Sequence, residues 1–135
     1  MILRNPEGEV IFASCRYLTS CVSAMEAELA ACREGISLTL EWSTLPFILE
    51  IDCTIALSML KGMEVDISPA AAIMEEAKHM LSLGRPHEIR HVRRCLNCVS
   101  HALAQLGSQP RAVIWLRHAP EHILALCNLD YNAPG

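Results

Sequence analysis

Apolar and polar residues change period several times along the chain, and each change marks an element. Residues 1–15 read as a hairpin: ILR, the turn NPEGE, then VIFASC. Asn5-Pro6-Glu7-Gly8 supplies the turn chemistry, because Pro presets φ and Gly accepts a positive φ. Arg16 to Val22 continues as a third extended piece or a loop. From Ser23 the period lengthens to that of an amphipathic helix over 23–42, SAMEAELAACREGISLTLEW, which runs through a Ser-Thr turn into a strand over 46–52, PFILEID. Alternation puts Ile48, Glu50 and Asp52 on one side of that strand and Phe47, Leu49 and Ile51 on the other. Both sides are apolar until the C-terminal end, the pattern of an interior, parallel strand.

Beyond Asp52, CTIALSMLKG reads as a short helix with Ile55, Ala56, Met59 and Leu60 as its stripe and Gly62 as its stop. Residues 63–67 form a connection. Ser68-Pro69 then opens a longer helix that ends at Gly84, with Ile73, Ala77, Met80 and Leu81 inward and Glu75, Glu76 and Lys78 outward. Arg85 to Arg94 suits an exposed edge strand, and Asn97 starts a helix over 97–106 with Val99, Ala102, Leu103 and Leu106 inward. VIWL is a last extended piece, and Pro120 to Leu129 a last helix. With 135 residues, the chain is expected to make one domain.

A hydrophobic content of 52% excludes a disordered chain. No apolar run approaches the ~18 residues that span a bilayer, and MILRNPEGEV lacks the basic-then-apolar order of a secretory signal. Seven cysteines scattered through apolar segments suit reduced thiols in an intracellular compartment, nucleus or cytoplasm. The net charge of −4 hides an asymmetry: residues 1–84 hold 5 Lys and Arg against 12 Asp and Glu, and residues 85–135 hold 6 against 3. An acidic total argues against indiscriminate nucleic-acid binding but permits a local basic strip.

Two carboxylates carry the candidate chemistry. At about 100° per residue, Ala24, Ala31, Cys32 and Gly35 fall within about 60° of Glu28, while Glu26 and Arg33 lie on the far side. That places Glu28 on a face of small residues, where a helix approaches a sheet closely. Asp52 ends the apolar strand, at the edge where open α/β sheets place their ligands. Two converging carboxylates suggest a Mg²⁺ site; alternatively, Asp52 caps the next helix and Glu28 reaches solvent. The strip RPHEIRHVRR sets Arg85, Arg90, Arg93 and Arg94 against Glu88, and it either protects a sheet edge or contacts phosphates. Cys95-Leu96-Asn97-Cys98 has the spacing of a redox motif, or of three zinc ligands once His101 is added, although no fourth stands at normal spacing. Two incidental cysteines flanking an N-cap Asn is the simplest account of it. His118 and His122, at i, i+4, give a similarly weak signal, since they flank Ala119-Pro120 and His118 is not expected to be helical.

Taken in order, these segments resemble the plant RNase H-like domains related to the C-terminal part of non-LTR retrotransposon reverse transcriptases. The resemblance lies in LRNPEGEVIFA, AELAACREG and FILEIDCTIAL, and in IRHVRRCLNCVSHALA, which matches His-Val-x-Arg-x-x-Asn followed by a helix. Trp115, Pro120, Ile123 and Asp130 extend it into the tail. It implies an α/β RNase H-like fold, a mixed sheet flanked by helices, and Mg²⁺- or Mn²⁺-dependent hydrolysis of RNA in RNA–DNA hybrids. Glu28 matches the family's helix Glu and Asp52 its strand Asp, both as metal ligands, and His101 stands at the fourth catalytic position. Arg90, Arg93, Arg94 and Asn97 would hold nucleic acid.

The family's first Asp belongs to a central strand that would lie upstream of Met1, and no Asp precedes Asp52. The chain therefore reads as N-terminally truncated, with a weak or incomplete metal site and impaired hydrolysis, because the shared carboxylate sets the separation of two catalytic metals. An upstream segment or a partner strand would complete the sheet. The alternative is a non-catalytic nucleic-acid-binding module, or retroelement relic, that keeps the groove without the chemistry. No membrane association is expected.

Overall fold

A computed structural model describes residues 1–19, 21, 23–63, 70–83 and 85–131, with the side chains of residues 130 and 131 outside that description. In chain order the elements are β1 (Ile2–Arg4), β2 (Val10–Arg16), α1 (Ala24–Trp42), β3 (Phe47–Ile51), α2 (Thr54–Leu60), α3 (Ala70–Ser82), β4 (His87–His91), a 3₁₀ turn (Arg94–Leu96), α4 (Cys98–Leu106), β5 (Ala112–Leu116) and α5 (Glu121–Tyr131). The expected Ser68-Pro69 cap, most of the connection before it, the Gly84 stop and the Asp130 side chain fall outside the described residues. The chain divides into two compact units, Met1–Thr19 with Arg93–Gly135, and Ser20–Val92. Both are mixtures of helix and sheet. No helix among the described residues is long and apolar enough to cross a membrane.

In the first unit, the hairpin forms where the turn residues ask for it. Gly8 takes φ +85°, its amide donates to the Asn5 carbonyl at 2.9 Å, and Asn5 Oδ1 accepts from the Glu9 amide at 2.8 Å. These bonds use Asn and Gly for what other residues cannot supply: a local acceptor and a left-handed backbone. β1 pairs antiparallel with β2, with an irregularity between Leu3 and Arg4, and β2 pairs antiparallel with β5. The strand order is β1-β2-β5. Ala13 of β2, Val99 and Leu103 of α4, and Ala119, Ile123 and Cys127 around α5 form the core of this unit.

In the second unit, Ser23 caps α1 by accepting from the Glu26 amide at 3.2 Å, and Glu26 places its charge in the first turn, where the helix dipole favours it. Leu29 and Ile36 of α1, Met59 of α2 and Met74 of α3 are buried together with Ile51 of β3. Each such side chain contributes roughly 1.5–3 kcal/mol when withdrawn from water. The other end of α1 is held from a distance. Arg85, just before β4, donates to the Thr39 carbonyl at 3.2 Å and the Leu40 carbonyl at 3.4 Å, supplying the cation that the last turn of α1 lacks.

β3 and β4 pair in parallel, Phe47 opposite His87 through Ile51 opposite His91. The parallel direction matches expectation, but the interior position does not. The sheet has only these two strands among the described residues, so β3 has one free edge, and only one of its faces is packed. Ile48 and Glu50 are exposed, while Phe47 and Leu49 are half-buried and Ile51 is buried. Ile48 therefore does not mark a second buried face. Ile55 likewise points to solvent, 46% exposed, and the buried stripe of α2 is Ala56, Met59 and Leu60. The mixed α/β architecture agrees with expectation: with the central strand absent, the strands among the described residues form two sheets, one antiparallel and one parallel.

Candidate functional site

The carboxylates come from the two elements that alternation and helical period assign to them. Glu28 stands one turn into α1, and Asp52 directly follows β3. Glu28 is exposed and Asp52 half-buried. The small-residue face around Glu28 is divided, with Ala24 and Ala31 exposed and Cys32 and Gly35 partly buried, and the main packing of the helix runs through Leu29, Ala30 and Ile36. Small residues permit a close approach but provide little apolar area to drive one. Nor is Asp52 the cap of α2. Cys53 takes that position, without a side-chain cap bond.

Both carboxylates act electrostatically on one residue that sequence reasoning treated only as small. Cys32 lies four residues after Glu28, on the same side of α1. Its thiol is pushed up to about 12 from the ordinary 9.0, by burial first, then by the charge of Glu28, by Cys53 and by Asp52. Glu28, Asp52 and Cys53 thus all lie within Coulombic reach of one sulfur. The signal was present in the i, i+4 spacing of Glu28 and Cys32 and in the adjacency of Asp52 and Cys53, but nothing in the sequence says that the two pairs meet.

This donor set has a definite chemical capacity. A thiol held protonated near neutral pH is a poor ligand, and Mg²⁺ takes oxygen in any case. The carboxylates of Glu28 and Asp52 could hold one hard cation, with water and phosphate oxygens completing its shell. No group of three His, Cys, Asp or Glu side chains able to hold a metal occurs among the described residues.

The basic strip divides by role. Arg85 is committed to the end of α1. Arg90, in β4, makes two bonds to Glu88, Nε to Oε1 at 2.5 Å and Nη2 to Oε2 at 2.8 Å. That hydrogen bonding lowers the Glu88 carboxyl and raises the Arg90 guanidinium relative to their ordinary values. An anionic ligand at Arg90 would have to compete with a carboxylate already seated there. Arg93 and Arg94 are exposed at the start of the 3₁₀ turn, and Asn97, half-buried, is the N-cap of α4 by position without a side-chain cap bond. His101 is exposed on α4, its Nε2 3.4 Å from the Gln105 amide nitrogen. Arg93, Arg94, Asn97 and His101 belong to the first unit, and Glu28, Asp52 and Arg90 to the second.

No curated protein and no solved structure matches the chain. A family described as reverse transcriptase-like matches residues 1–107, which include every candidate residue above and stop short of β5 and α5. The match covers well over half of the chain, and the mixed α/β structure agrees with the RNase H-like fold. The chain belongs to the reverse transcriptase-like family and carries an RNase H-like domain.

Proposed function

We propose that the chain binds RNA–DNA hybrids and hydrolyses their RNA strand slowly in the presence of Mg²⁺. What supports this reading is the match of residues 1–107 to a reverse transcriptase-like family, with Glu28, on α1, and Asp52, after β3, both within electrostatic reach of the Cys32 thiol. Glu28 and Asp52 would hold the cation, which when bound would polarise a phosphoryl oxygen and lower the pKa of a water. Arg93 and Arg94 are the cations offered to phosphates, with Arg90 reduced by its pairing to Glu88. Asn97 is assigned a hydrogen bond to the nucleic acid, and His101 a catalytic role by its match to the family's fourth position. Hydrolysis is expected to be slow, because the described residues include no third acidic ligand to set a second metal beside the first.

That lack of a third acidic ligand among the described residues favours a second reading, a module that binds hybrid without cutting it. In both readings a further strand has a place to pair. β1 lies at one edge of its sheet and β3 at an edge of the other, each with an unpaired side among the described residues. An upstream segment or a partner strand would satisfy the backbone groups there.

The deciding experiment incubates the purified chain with an end-labelled RNA–DNA hybrid and Mg²⁺ or Mn²⁺, beside Asp52→Asn, and reads cleavage and mobility shift on parallel gels. Cleavage that is lost in the variant supports the nuclease. A shift without cleavage, equal in both proteins, supports the binding module. Neither cleavage nor shift would refute both.

A further inference from the structure

Among the seven cysteines, one pair differs from the rest. Cys15 and Cys127 are buried and Cys21, Cys32 and Cys53 are partly buried, whereas Cys95 and Cys98 are both exposed, and all seven are free thiols. Cys95 sits within the 3₁₀ turn and Cys98 is the first residue of α4. The chain between them is closed tightly: the Leu96 amide donates to the Arg93 carbonyl at 2.8 Å and the Asn97 amide to the Arg94 carbonyl at 3.1 Å. As a result, Cys98 Sγ donates to the Cys95 carbonyl oxygen at 3.1 Å. The Cys98 sulfur thus lies against the backbone of the residue it would bond, three positions away in a tightly closed turn. A zinc site does not account for the pair, because with His101 it makes no metal-holding group among the described residues.

We propose that Cys95 and Cys98 close into a reversible disulfide by exchange with a small-molecule disulfide such as oxidised glutathione. Cys98 has its S–H engaged by the Cys95 carbonyl, so Cys95 attacks first. Its thiolate displaces one glutathione thiolate from the S–S bond and forms a mixed disulfide. The Cys98 thiolate then attacks the Cys95 sulfur, forms the internal bond and expels the second glutathione thiolate. Two protein thiols are oxidised, one glutathione disulfide is reduced to two thiols, and the two protein protons end on the departing glutathiones. The ring closes over Leu96 and Asn97 and fixes the turn that begins at Arg94. A change in phosphate contact on oxidation is the expected consequence, and this part alone rests on the proposed function.

The test equilibrates the full chain in a series of oxidised-to-reduced glutathione ratios, quenches with an alkylating agent, and maps the products by mass spectrometry beside Cys95→Ser and Cys98→Ser. In the wild type, the titre of free thiols should fall from seven to five with loss of two hydrogens, and the new link should map to Cys95–Cys98. Cys98→Ser should instead stop at a single glutathione adduct on Cys95. Wild-type protein that carries glutathione adducts on both residues without a link, that links other cysteines first, or that stays fully reduced would overturn the proposal. A mobility shift of hybrid by the oxidised and reduced chains separates the two inferences. A mapped link with no shift in either state sustains the exchange chemistry and counts against hybrid binding.

Discussion

Neutralising Glu28 or Asp52 should speed the alkylation of Cys32, and the order of the effects is set by the site. The Cys32 thiol is pushed up to about 12 from 9.0, with burial the first cause, Glu28 the second and Asp52 the last. At pH 9, an ordinary thiol of that kind is half ionised, whereas Cys32 is ionised in roughly one molecule in a thousand, so its reaction with iodoacetamide should run about 500-fold slower than that of an exposed thiol. Glu28→Gln should recover part of that factor and Asp52→Asn a smaller part, with burial keeping both below the full rate. The assay is site-resolved mass spectrometry of the Cys32 peptide over pH 8–11, with the Cys95 peptide as the exposed reference. In the wild type the rate should keep rising with pH throughout this range. Mg²⁺ seated between the carboxylates should act in the same direction as their neutralisation, and its effect should vanish in Asp52→Asn. A wild-type rate that levels off near pH 9, or that neither substitution changes, would show that the carboxylates do not surround this thiol.

The same thiol fixes a sign for alkaline stability. Between pH 9 and 12 the unfolded chain loses a proton that the folded chain keeps, so stability falls as pH rises, by up to about 1.4 kcal/mol per pH unit relative to Cys32→Ala in urea titrations. Arg85→Met should cost about 1–3 kcal/mol, because two charge-assisted bonds to the end of α1 are lost, seen as a lower urea midpoint at unchanged slope. Gly107→Ala should cost about 1–3 kcal/mol in the same assay, since its Cβ would stand 3.0 Å from the Arg16 carbonyl oxygen, a backbone atom that cannot swing aside. Arg94→Gln should weaken hybrid binding and reduce the salt slope by roughly 0.7–0.9, while Arg90→Gln does less and Asp52→Asn leaves binding nearly unchanged. An Arg90 effect equal to that of Arg94 would contradict the pairing with Glu88.

Local chemistry explains what could be read in advance. The first hairpin was legible because Asn5, Pro6 and Gly8 determine their turn within four residues, and α1 because Ser23 and a long apolar period act over neighbouring turns. The direction of β3 was legible from its flanking helices. Its open edge followed only from the missing first strand, because alternation reports which residues share a face and says nothing of how many neighbours lie alongside; Ile48 is apolar and still exposed. The positions of Glu28 on α1 and Asp52 after β3 follow from period and alternation, whereas their electrostatic reach to Cys32 depends on tertiary placement that neither pattern reports. The basic strip showed the same limit. Charge counting put Arg85, Arg90 and Arg94 in one class, and their contacts place them in three: a distant helix end, an ion pair within β4 and solvent.

The division of the chain has a consequence for the order of synthesis. The unit spanning Ser20–Val92 is continuous, while the other is built from both ends of the chain. β2 must wait for β5, with Phe12 finding Leu116 across roughly a hundred intervening residues, and at about 5–20 residues per second the wait is on the order of 5–20 s. During it the β2 backbone is available to chaperones or to a neighbouring nascent chain, while α1, β3 and β4 have already emerged. Pulsed hydrogen exchange on stalled nascent chains should find α1 amides protected before those of β2, and simultaneous protection would refute that order.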